Sequence, residues 1–376
     1  MEKIREIDEQ YMRQALSLAR MGYGAVEPNP MVGCVIVRDG VVVGRGFHRK
    51  FGGDHAEIDA LREAGDKADG ATCYVTLEPC SHYGKTPPCT SALIRAKLVR
   101  IVVAMEDPFP KVHGNGINEL RAAGIEVEVG LLENEARQLN ATYLLRVNQS
   151  RPLITAKWAM SLDGKIATRT GAGKWISCER SREIVQDLRK RSSAIMIGIG
   201  TVLADDPLLT VRNIEKMKHH PLRVVLDSQL KLPLNSKLVQ TSEKTPLMLV
   251  VSEAAAAEHT PQVEQLENAG VKLLRYQSEN GEQHPPMEWV LEQLFEQYNI
   301  GKLLVEGGAN VLGKLFDANL IDEVHVFIAT KLLGGERAKS PIAGIGIEQM
   351  QNALRLENPK IEIIEKDIYV HGSVVR

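Results

Sequence analysis

The sequence predicts two α/β domains in tandem. Three observations carry this expectation. The chain has 376 residues, roughly twice the usual length of one domain. Segments of helical period and segments of strand length alternate through both halves, the pattern of α/β architecture. Residues 148–152 (NQSRP) break that alternation with linker composition and a proline that stops any helix. Domains at 1–148 and 149–376 follow.

In the first half, Asp8 can cap a helix whose apolar residues Tyr11, Met12, Ala15, Leu16 and Ala19 fall at helical spacing. Residues 32–37 form an apolar run of strand length, and Asp39-Gly40 marks a hairpin turn into a second strand at 41–47. A helix over Ala56–Ala64 is stopped by Gly65. Strands are expected at 71–77, 99–104 and 125–129, with helices at 90–97, 117–123 and 133–146. The second half starts a fresh alternation. Its strands are expected at 153–158, 194–198, 222–227, 246–251, 271–275, 301–305 and 323–329, and its helices at 179–191, 287–298 and 308–318, with a short one at Ala254–Ala257.

Hydrophobic residues make up 44% and charged residues 25%, enough apolar material for each half to bury a core. The formal net charge is −2 and aromatic residues are 5%. Nucleic-acid binding favours a basic surface and stacking aromatics, so no nucleic-acid partner is expected. The N-terminal residues carry charges throughout, and the most apolar run, near Ala194–Ala204, is short and broken by glycine. No signal peptide or membrane span is expected, and a cytoplasmic location follows. There the five cysteines read as thiols or metal ligands rather than disulfides.

The strongest chemical signal is His55-Ala56-Glu57 followed by Pro79-Cys80 and Cys89. A structural zinc site closes with four protein ligands, whereas a catalytic one keeps a position for water. His55, Cys80 and Cys89 supply three ligands and leave that position open. Glu57, at the start of a helix, is placed to take a proton from water and deliver it to a leaving amine. H-x-E with P-C-x-x-C is the zinc deaminase pattern. Here eight residues separate the cysteines, and His82 inside that loop reads better as a loop group than as a ligand. Cys34 and Cys73 lie in apolar strand patterns and read as core thiols, while no role is assigned to Cys178. Taken singly, the histidine–glutamate pair and the two cysteines are ordinary polar caps and buried thiols. Their order and spacing together carry the catalytic reading.

Asn29-Pro30-Met31-Val32-Gly33, His48, the HAE triplet and EPCSHYGKTPPC at 78–89 resemble the deaminase half of the bifunctional riboflavin-biosynthesis deaminase/reductases. AKWAMSLDGKIA at 156–167, GIGT at 198–201, LADDPLLTVR at 203–212 and VEGG at 305–308 resemble the pyrimidine reductase half. The resemblance spans nearly the whole chain, and the long loop between the cysteines is the family's own variant of the zinc motif. It implies a cytidine-deaminase-like three-layer α/β domain followed by a dihydrofolate-reductase-like α/β domain. It also implies two consecutive reactions on small pyrimidine ribosyl phosphates. The first deaminates 2,5-diamino-6-ribosylamino-4(3H)-pyrimidinone 5′-phosphate with one Zn²⁺ per chain, and the second reduces the ribosyl chain to ribityl with NADPH.

By the same resemblance Asn29, His48, Lys85 and Asp107 contact the deaminase substrate. Phe109 stands where the family commonly has asparagine. NADPH contacts fall to Ala159, Trp175, Thr201, Asp205, Ser228 and the segment Gly308, Ala309, Asn310, Val311, Leu312, Gly313 and Lys314. Lys157, Asp163, Gly173, Arg189, Leu209, Arg212 and Glu306 line the reductase substrate, Gly173 standing where the family often has serine. The residues themselves offer partial support. No G-x-G-x-x-G follows the first strand of this half, which excludes a dinucleotide-binding Rossmann reading. Glu306-Gly307-Gly308 after a strand can bring a phosphate close to free N–H groups at a helix start, and arginines suit a phosphate. Taken alone, that turn is also a plain strand-to-helix connection, and Thr201 a helix cap.

Two other readings remain. One is a nucleoside or nucleic-acid base deaminase with a nucleotide-binding regulatory domain. The other is a structural zinc protein that binds nucleotides, which would need a fourth protein ligand, with His82 the first suspect. A homo-oligomer is the default expectation for a soluble enzyme.

Overall fold

The computed structural model describes residues 2–23, 25–26, 28–81, 88–109, 112–212, 220–278 and 284–375. The chain divides into two compact units, Met1–Ser150 and Arg151–Arg376.

The first unit opens with helix α1 (Glu2–Arg20) and a hairpin of β1 (Gly33–Arg38) and β2 (Val41–Phe47). Asp39 and Gly40 turn the hairpin with φ of 51° and 76°, the pair of left-handed residues whose twist matches the flanking strands. Then come α2 (Ala56–Ala64), β3 (Thr72–Val75), α3 (Cys89–Arg95), β4 (Arg100–Val103), α4 (Asn115–Ala122), β5 (Glu126–Val129), α5 (Glu133–Leu139) and α6 (Ala141–Gln149). The sheet order is β2-β1-β3-β4-β5, with β1 antiparallel to both neighbours and β3, β4 and β5 parallel.

Alternation along the strands sorts the core into two faces. Cys34, Ile36, Cys73, Val75, Ile101 and Val103 meet Ala56, Ala60, Leu93 and Leu120 on one side. Val35, Val37, Tyr74 and Val102 meet Met12, Ala15, Leu16 and Ala136 on the other. The result is the expected three-layer α/β domain. Helix α2 lies unusually close to the sheet because β2 carries no side chain where they meet. A Cβ on Gly46 would lie 2.1 Å from the Ala56 carbonyl oxygen, and one on Gly44 2.2 Å from that of Ala60. That closeness sets the position of the residues at the start of α2.

Two sequence expectations change here. Asp8 does not cap α1 but sits inside it, buried. Its carboxylate accepts from Arg100 at 2.8 and 3.0 Å and from the Tyr74 hydroxyl at 2.5 Å. The expected helix at 133–146 is two helices. Asn140 breaks it with φ −102° and ψ 21°, and its side-chain amide bonds the backbone of Met31 instead.

The second unit contains β6 (Leu153–Ser161), α7 (Glu179–Lys190), β7 (Ala194–Gly198), α8 (Ile199–Asp205), β8 (Leu222–Leu226), α9 (Lys237–Gln240), β9 (Leu247–Ser252), α10 (Glu253–Glu258), α11 (Thr260–Asn268), β10 (Lys272–Tyr276), α12 (Met287–Glu296), β11 (Lys302–Val305), α13 (Ala309–Asp317), β12 (Glu323–Ala329), β13 (Arg355–Ile364) and β14 (Asp367–Val375). Among the described residues they form a nine-stranded sheet ordered β10-β9-β8-β7-β11-β6-β12-β14-β13. The run from β10 to β12 is parallel, and β14 and β13 add antiparallel at one edge. Helices α12 and α13 bury Val290, Leu291, Leu294, Leu312 and Leu315 on one face. Helices α8 to α11 bury Val202, Leu238, Ala256 and Leu266 on the other. This is the dihydrofolate-reductase-like α/β domain expected.

Helices α9 and α11 and the β13–β14 hairpin are additions to the expected elements, and α8 is expected only as a helix capped by Thr201. Helices α8 and α9 span 7 and 4 residues, too few turns for a helical period to register. Strand β13 is outermost and exposes Ile361 and Ile363, so its apolar pattern marks no core. Thr201 lies within α8, whose N-terminal flanking residue is Gly198, so it is not the cap expected. Cys178 gains a role: its sulfur caps α7 by accepting from the Ser181 N–H. No described helix is long and apolar enough to cross a membrane.

Candidate functional site

In the first unit, His55 stands immediately before α2, Cys80 follows the end of β3, and Cys89 begins α3. Their ligand atoms all lie within 4.8 Å of one another. His55 Nδ1 is 3.2 Å from Cys89 Sγ and 3.5 Å from Cys80 Sγ. Zinc bonds of about 2.0–2.1 Å to nitrogen and about 2.3 Å to sulfur, arranged tetrahedrally, put neighbouring ligand atoms roughly 3.5 Å apart. The three residues therefore fit a zinc ion. Hydrogen bonding to Cys89 and His55 holds the Cys80 thiol down at about 4, in the thiolate form that binds metal.

Glu57, in the first turn of α2, is buried beside these ligands. Burial pushes its carboxyl up to about 7, with His55 opposing and Cys80 adding to the rise. A carboxyl poised near neutral pH suits a group that accepts and returns a proton. His48 is also buried and is held below the usual histidine range by burial. Its Nδ1 donates to the Asp54 carbonyl at 2.9 Å, so Nε2 accepts from the Asn29 amide at 3.2 Å. The His48 ring meets the His55 ring edge-on at 5.6 Å. Asn29 and His48 therefore flank the metal triad.

Asp107 lies just past the end of β4, beside the strand that leads to Cys80. Its backbone N–H donates to Glu78 Oε2 at 3.2 Å, and its Oδ1 accepts from the Tyr143 hydroxyl at 2.7 Å and the Phe109 N–H at 2.9 Å. Phe109 thus contributes its backbone here. Lys85 and His82 lie outside the described residues. Cys34 and Cys73 are core thiols, their sulfurs 3.3 Å apart.

In the second unit, Lys157 of β6, Arg189 of α7 and Glu306 after β11 come together. Arg189 grips both Glu306 oxygens, Nε to Oε1 and the second donor to Oε2 at 2.9 Å, and gives a third bond to the Thr210 carbonyl at 2.9 Å. Its fork is committed inside the protein rather than presented to a phosphate. Burial lowers the Lys157 ammonium's pKa, Glu306 opposes this and Arg189 adds to it. Burial also works against the Glu306 charge, but Arg189 and Lys157 outweigh it and hold that carboxyl below its usual range. Leu209 is buried with φ 51°, next to Thr210. Arg212 is exposed, its N–H donating to Gln186 at 3.0 Å.

The turns after β7 and β11 abut. A Cβ on Gly198 would lie 2.9 Å from Val311, and one on Gly308 3.3 Å from the Thr201 hydroxyl oxygen. Gly307 and Gly308 have φ of 97° and 85°, where a side chain is strained. Strands β7 and β11 are neighbours whose onward connections leave in opposite directions, to β8 and to β12. Such a point is where open α/β sheets take ligands. Within the segment 308–314, Gly308, Ala309 and Asn310 form the accessible opening of α13. Val311 and Leu312 belong to the core, and a Cβ on Gly313 would meet the Ala343 carbonyl at 2.4 Å. Ser228 Oγ lies 2.8 Å from His284 Nδ1, and burial and then Lys314 lower the pKa of that histidine, which places Lys314 nearby.

The remaining candidates are spread around this centre. Asp205's carbonyl accepts from Lys174 at 3.0 Å, beside the exposed Trp175, over whose ring the Arg182 guanidinium sits at 4.7 Å. Asp163 is held at about 2 by hydrogen bonds from Ser161 and the Gly334 and Leu333 N–H groups, so its carboxylate staples a loop. Ala159 packs beside Phe327 and Tyr369. A Cβ on Gly173 would lie 3.1 Å from the Ile166 carbonyl.

Comparison with known proteins divides the chain the same way. Residues 5–105 match the cytidine and deoxycytidylate deaminase zinc-binding region, and residues 152–370 match the RibD C-terminal domain. The riboflavin biosynthesis protein RibD of Aquifex aeolicus is 42% identical over 367 residues, covering 98% of each chain. The chain belongs to the RibD family. The Escherichia coli RibD is 40% identical over 375 residues, covering 97% of this chain and 98% of its own. The Acinetobacter baumannii RibD structure is similar with a TM-score of 0.83 and 38% identity, covering 99% of this chain and 100% of that one. A diaminohydroxyphosphoribosylaminopyrimidine deaminase/5-amino-6-(5-phosphoribosylamino)uracil reductase from Thermotoga maritima is similar with a TM-score of 0.81 and 34% identity, covering 99% of both. As a RibD-family chain the protein is a bifunctional enzyme of riboflavin biosynthesis. It joins a zinc-binding deaminase domain to a reductase domain, and the latter implies a nicotinamide cofactor.

The motif at 78–89 carries one further residue of this RibD-family site, Glu78, to which the sequence assigns no role. Glu78 is buried, and its two oxygens accept from the N–H groups of Asp107, Gly114, Gly116 and Ile117 at 2.9 to 3.3 Å. It pins Asp107 and the residues 114–117 against the strand end carrying Cys80. Gly116 completes that contact, since a Cβ there would lie 2.0 Å from the Pro79 carbonyl oxygen. Gly116→Ala is therefore expected to displace Pro79-Cys80 and weaken zinc binding by about ten- to a hundredfold, the range for groups that orient metal ligands. Competition with a zinc chelator measures it, and unchanged affinity would show that the strand end yields without moving Cys80.

Proposed function

We propose that the first unit deaminates 2,5-diamino-6-ribosylamino-4(3H)-pyrimidinone 5′-phosphate and that the second reduces the ribosyl chain of the product to ribityl with NADPH. The observation that carries the first step is the three-ligand set of His55, Cys80 and Cys89, open among the described residues, with the buried Glu57 beside it. Zinc held there supplies Lewis acidity and a water acidified toward neutrality. Glu57 takes the proton from the attacking water and returns it to the departing amine. Asn29, oriented by His48, offers both a donor and an acceptor to the pyrimidinone edge, and Asp107 accepts a second contact. Lys85 supplies a cation to the same substrate. The name of the Thermotoga maritima relative supports this substrate pair.

In the second unit, the opening of α13 at Gly308, Ala309 and Asn310, with Thr201 facing it, receives the cofactor's phosphates. Ser228, Lys314, Asp205, Trp175 and Ala159 complete its binding. The nicotinamide, when bound, supplies the hydride. Lys157 donates the proton that completes the reduction, and Glu306 orients the ribosyl hydroxyls. Arg189 acts through Glu306, and Arg212 is the guanidinium for the substrate phosphate. The choice of NADPH follows the family resemblance.

Incubation with the diaminopyrimidinone phosphate, followed by mass spectrometry, tests the order of steps. The oxo product should form without cofactor, and its dihydro derivative only after NADPH is added. Reduction ahead of deamination would overturn the order proposed. A cytoplasmic homo-oligomer is part of the same reading. The exposed Ile361 and Ile363 on the outermost strand β13 support self-association, and light scattering on the purified chain measures it.

A further inference from the structure

The deaminase family match ends at residue 105, yet two side chains beyond it reach back to the substrate-facing segments. At the junction of α5 and α6, Asn140 is buried and exchanges two hydrogen bonds with one residue of the Asn29-Pro30-Met31 stretch. Its Oδ1 accepts from the Met31 N–H at 2.8 Å and its Nδ2 donates to the Met31 carbonyl at 2.9 Å. This is a rung of sheet-like pairing made by a side chain, and it fixes the backbone two residues from Asn29. One helical turn later, Tyr143 donates its hydroxyl to Asp107 Oδ1 at 2.7 Å. The Phe109 N–H donates to the same oxygen at 2.9 Å, so two donors from different directions set the plane of that carboxylate.

We propose that Asn140 and Tyr143 form a positioning clamp for the deaminase substrate, holding the Asn29 and Asp107 segments at a fixed spacing. The proposal rests on the assignment of Asn29 and Asp107 to that substrate. The geometry gives each residue a distinct task. Asn140 ends α5 and starts α6, so the helix break itself turns its amide toward Met31. Tyr143 packs with the core face lined by Val35, Val102 and Leu131 and presents only its hydroxyl to Asp107. Their hydrogen bonds among the described residues go to Met31 and Asp107 rather than to His55, Cys80 or Cys89. The two segments approach the zinc triad through different ligands, Asn29 beside His55 and Asp107 beside the strand end at Cys80. Asn29 reaches it through His48, and Asp107 through Glu78 and the strand end at Cys80. A single corner that ties both segments fixes the spacing between Asn29 and Asp107, and the spacing of contacts is what distinguishes one ring and its substituents from another.

The test uses the zinc-loaded full chain and the variants Tyr143→Phe and Asn140→Asp. The first removes one hydroxyl, and the second keeps an acceptor for the Met31 N–H while setting an oxygen against the Met31 carbonyl. Deamination of the diaminopyrimidinone phosphate should show a KM raised about tenfold, the order expected when an orienting bond to a charged group is lost. Turnover at saturation should change far less. Zinc stoichiometry, and NADPH-dependent reduction of supplied deaminated substrate, should match the wild type. Unchanged KM in both variants, with wild-type turnover intact, overturns the clamp alone. Zinc lost together with activity also overturns it, because the residues then only support the fold. A wild-type chain that fails to turn over this substrate overturns the clamp and the substrate assignment together.

Discussion

Replacing Glu57 by Gln is expected to lower deamination by about a hundred- to ten-thousandfold, with zinc still bound and reduction of supplied deaminated substrate unchanged. At room temperature that is about 3–5 kcal/mol of barrier. The substitution keeps the size of the side chain and its place in the first turn of α2, so the packing of Ala56 and Ala60 on Gly46 and Gly44 is undisturbed. What it removes is the ability to accept a proton. The fold should not suffer. Burial pushes the Glu57 carboxyl up to about 7, so in metal-free protein the folded state holds that proton more tightly than the unfolded chain. The ionised form then destabilises the fold as pH rises from the ordinary carboxylate range through 7. A neutral amide escapes this loss. Metal-free Glu57→Gln should therefore melt higher than metal-free wild type at pH 8, and the two should converge toward pH 4. Zinc measured per chain decides the alternative. If Glu57 were a fourth ligand, as in a structural zinc site, metal would leave with activity.

The metal triad was legible because its chemistry is written in residue type. Few positions suit a histidine, a glutamate and two cysteines in that order, and the strands before them fix where they meet. Asn29 and His48 were named from family resemblance, and the structure brings them to the edge of that triad. The supports were not legible. Glu78, Asn140 and Tyr143 act on partners 29 to 109 residues away in sequence, and no local pattern distinguishes a buried carboxylate that collects four N–H groups from an exposed one. Asp8 failed for the same reason. An aspartate early in an amphipathic helix reads as a cap, and only the sheet brings Arg100 and Tyr74 to it. In the second unit the resemblance named Arg189 and Glu306 separately, each as a substrate contact. The structure pairs them, so neither stands as an isolated charge. The centre of the parallel core, by contrast, could be read strand by strand, since β7, β9 and β11 are buried on both faces and nearly continuous in apolar residues.

That pairing decides which residue best tests the reductase. Removing Glu306 would leave Arg189 and Lys157 as buried cations without their shared anion, a change that destabilises by about 3–5 kcal/mol and confuses folding with chemistry. Removing Lys157 leaves the Arg189–Glu306 pair whole. Lys157→Met is the cleaner variant, because methionine fills the stem's volume and lacks only the ammonium. It is expected to reduce NADPH-dependent turnover by about a hundredfold or more, as for the loss of a proton donor, while deamination continues at the wild-type rate. The pH dependence identifies the role. Burial lowers the Lys157 pKa, so its ammonium gives up its proton at a lower pH than an exposed lysine does. If the charged form is the donor, wild-type reduction falls as pH rises through that lowered pKa, and Lys157→Met, slow at every pH, lacks this alkaline limb. A variant that is slow but keeps the limb would move the proton donor elsewhere and leave Lys157 as a binding cation for the ribosyl chain.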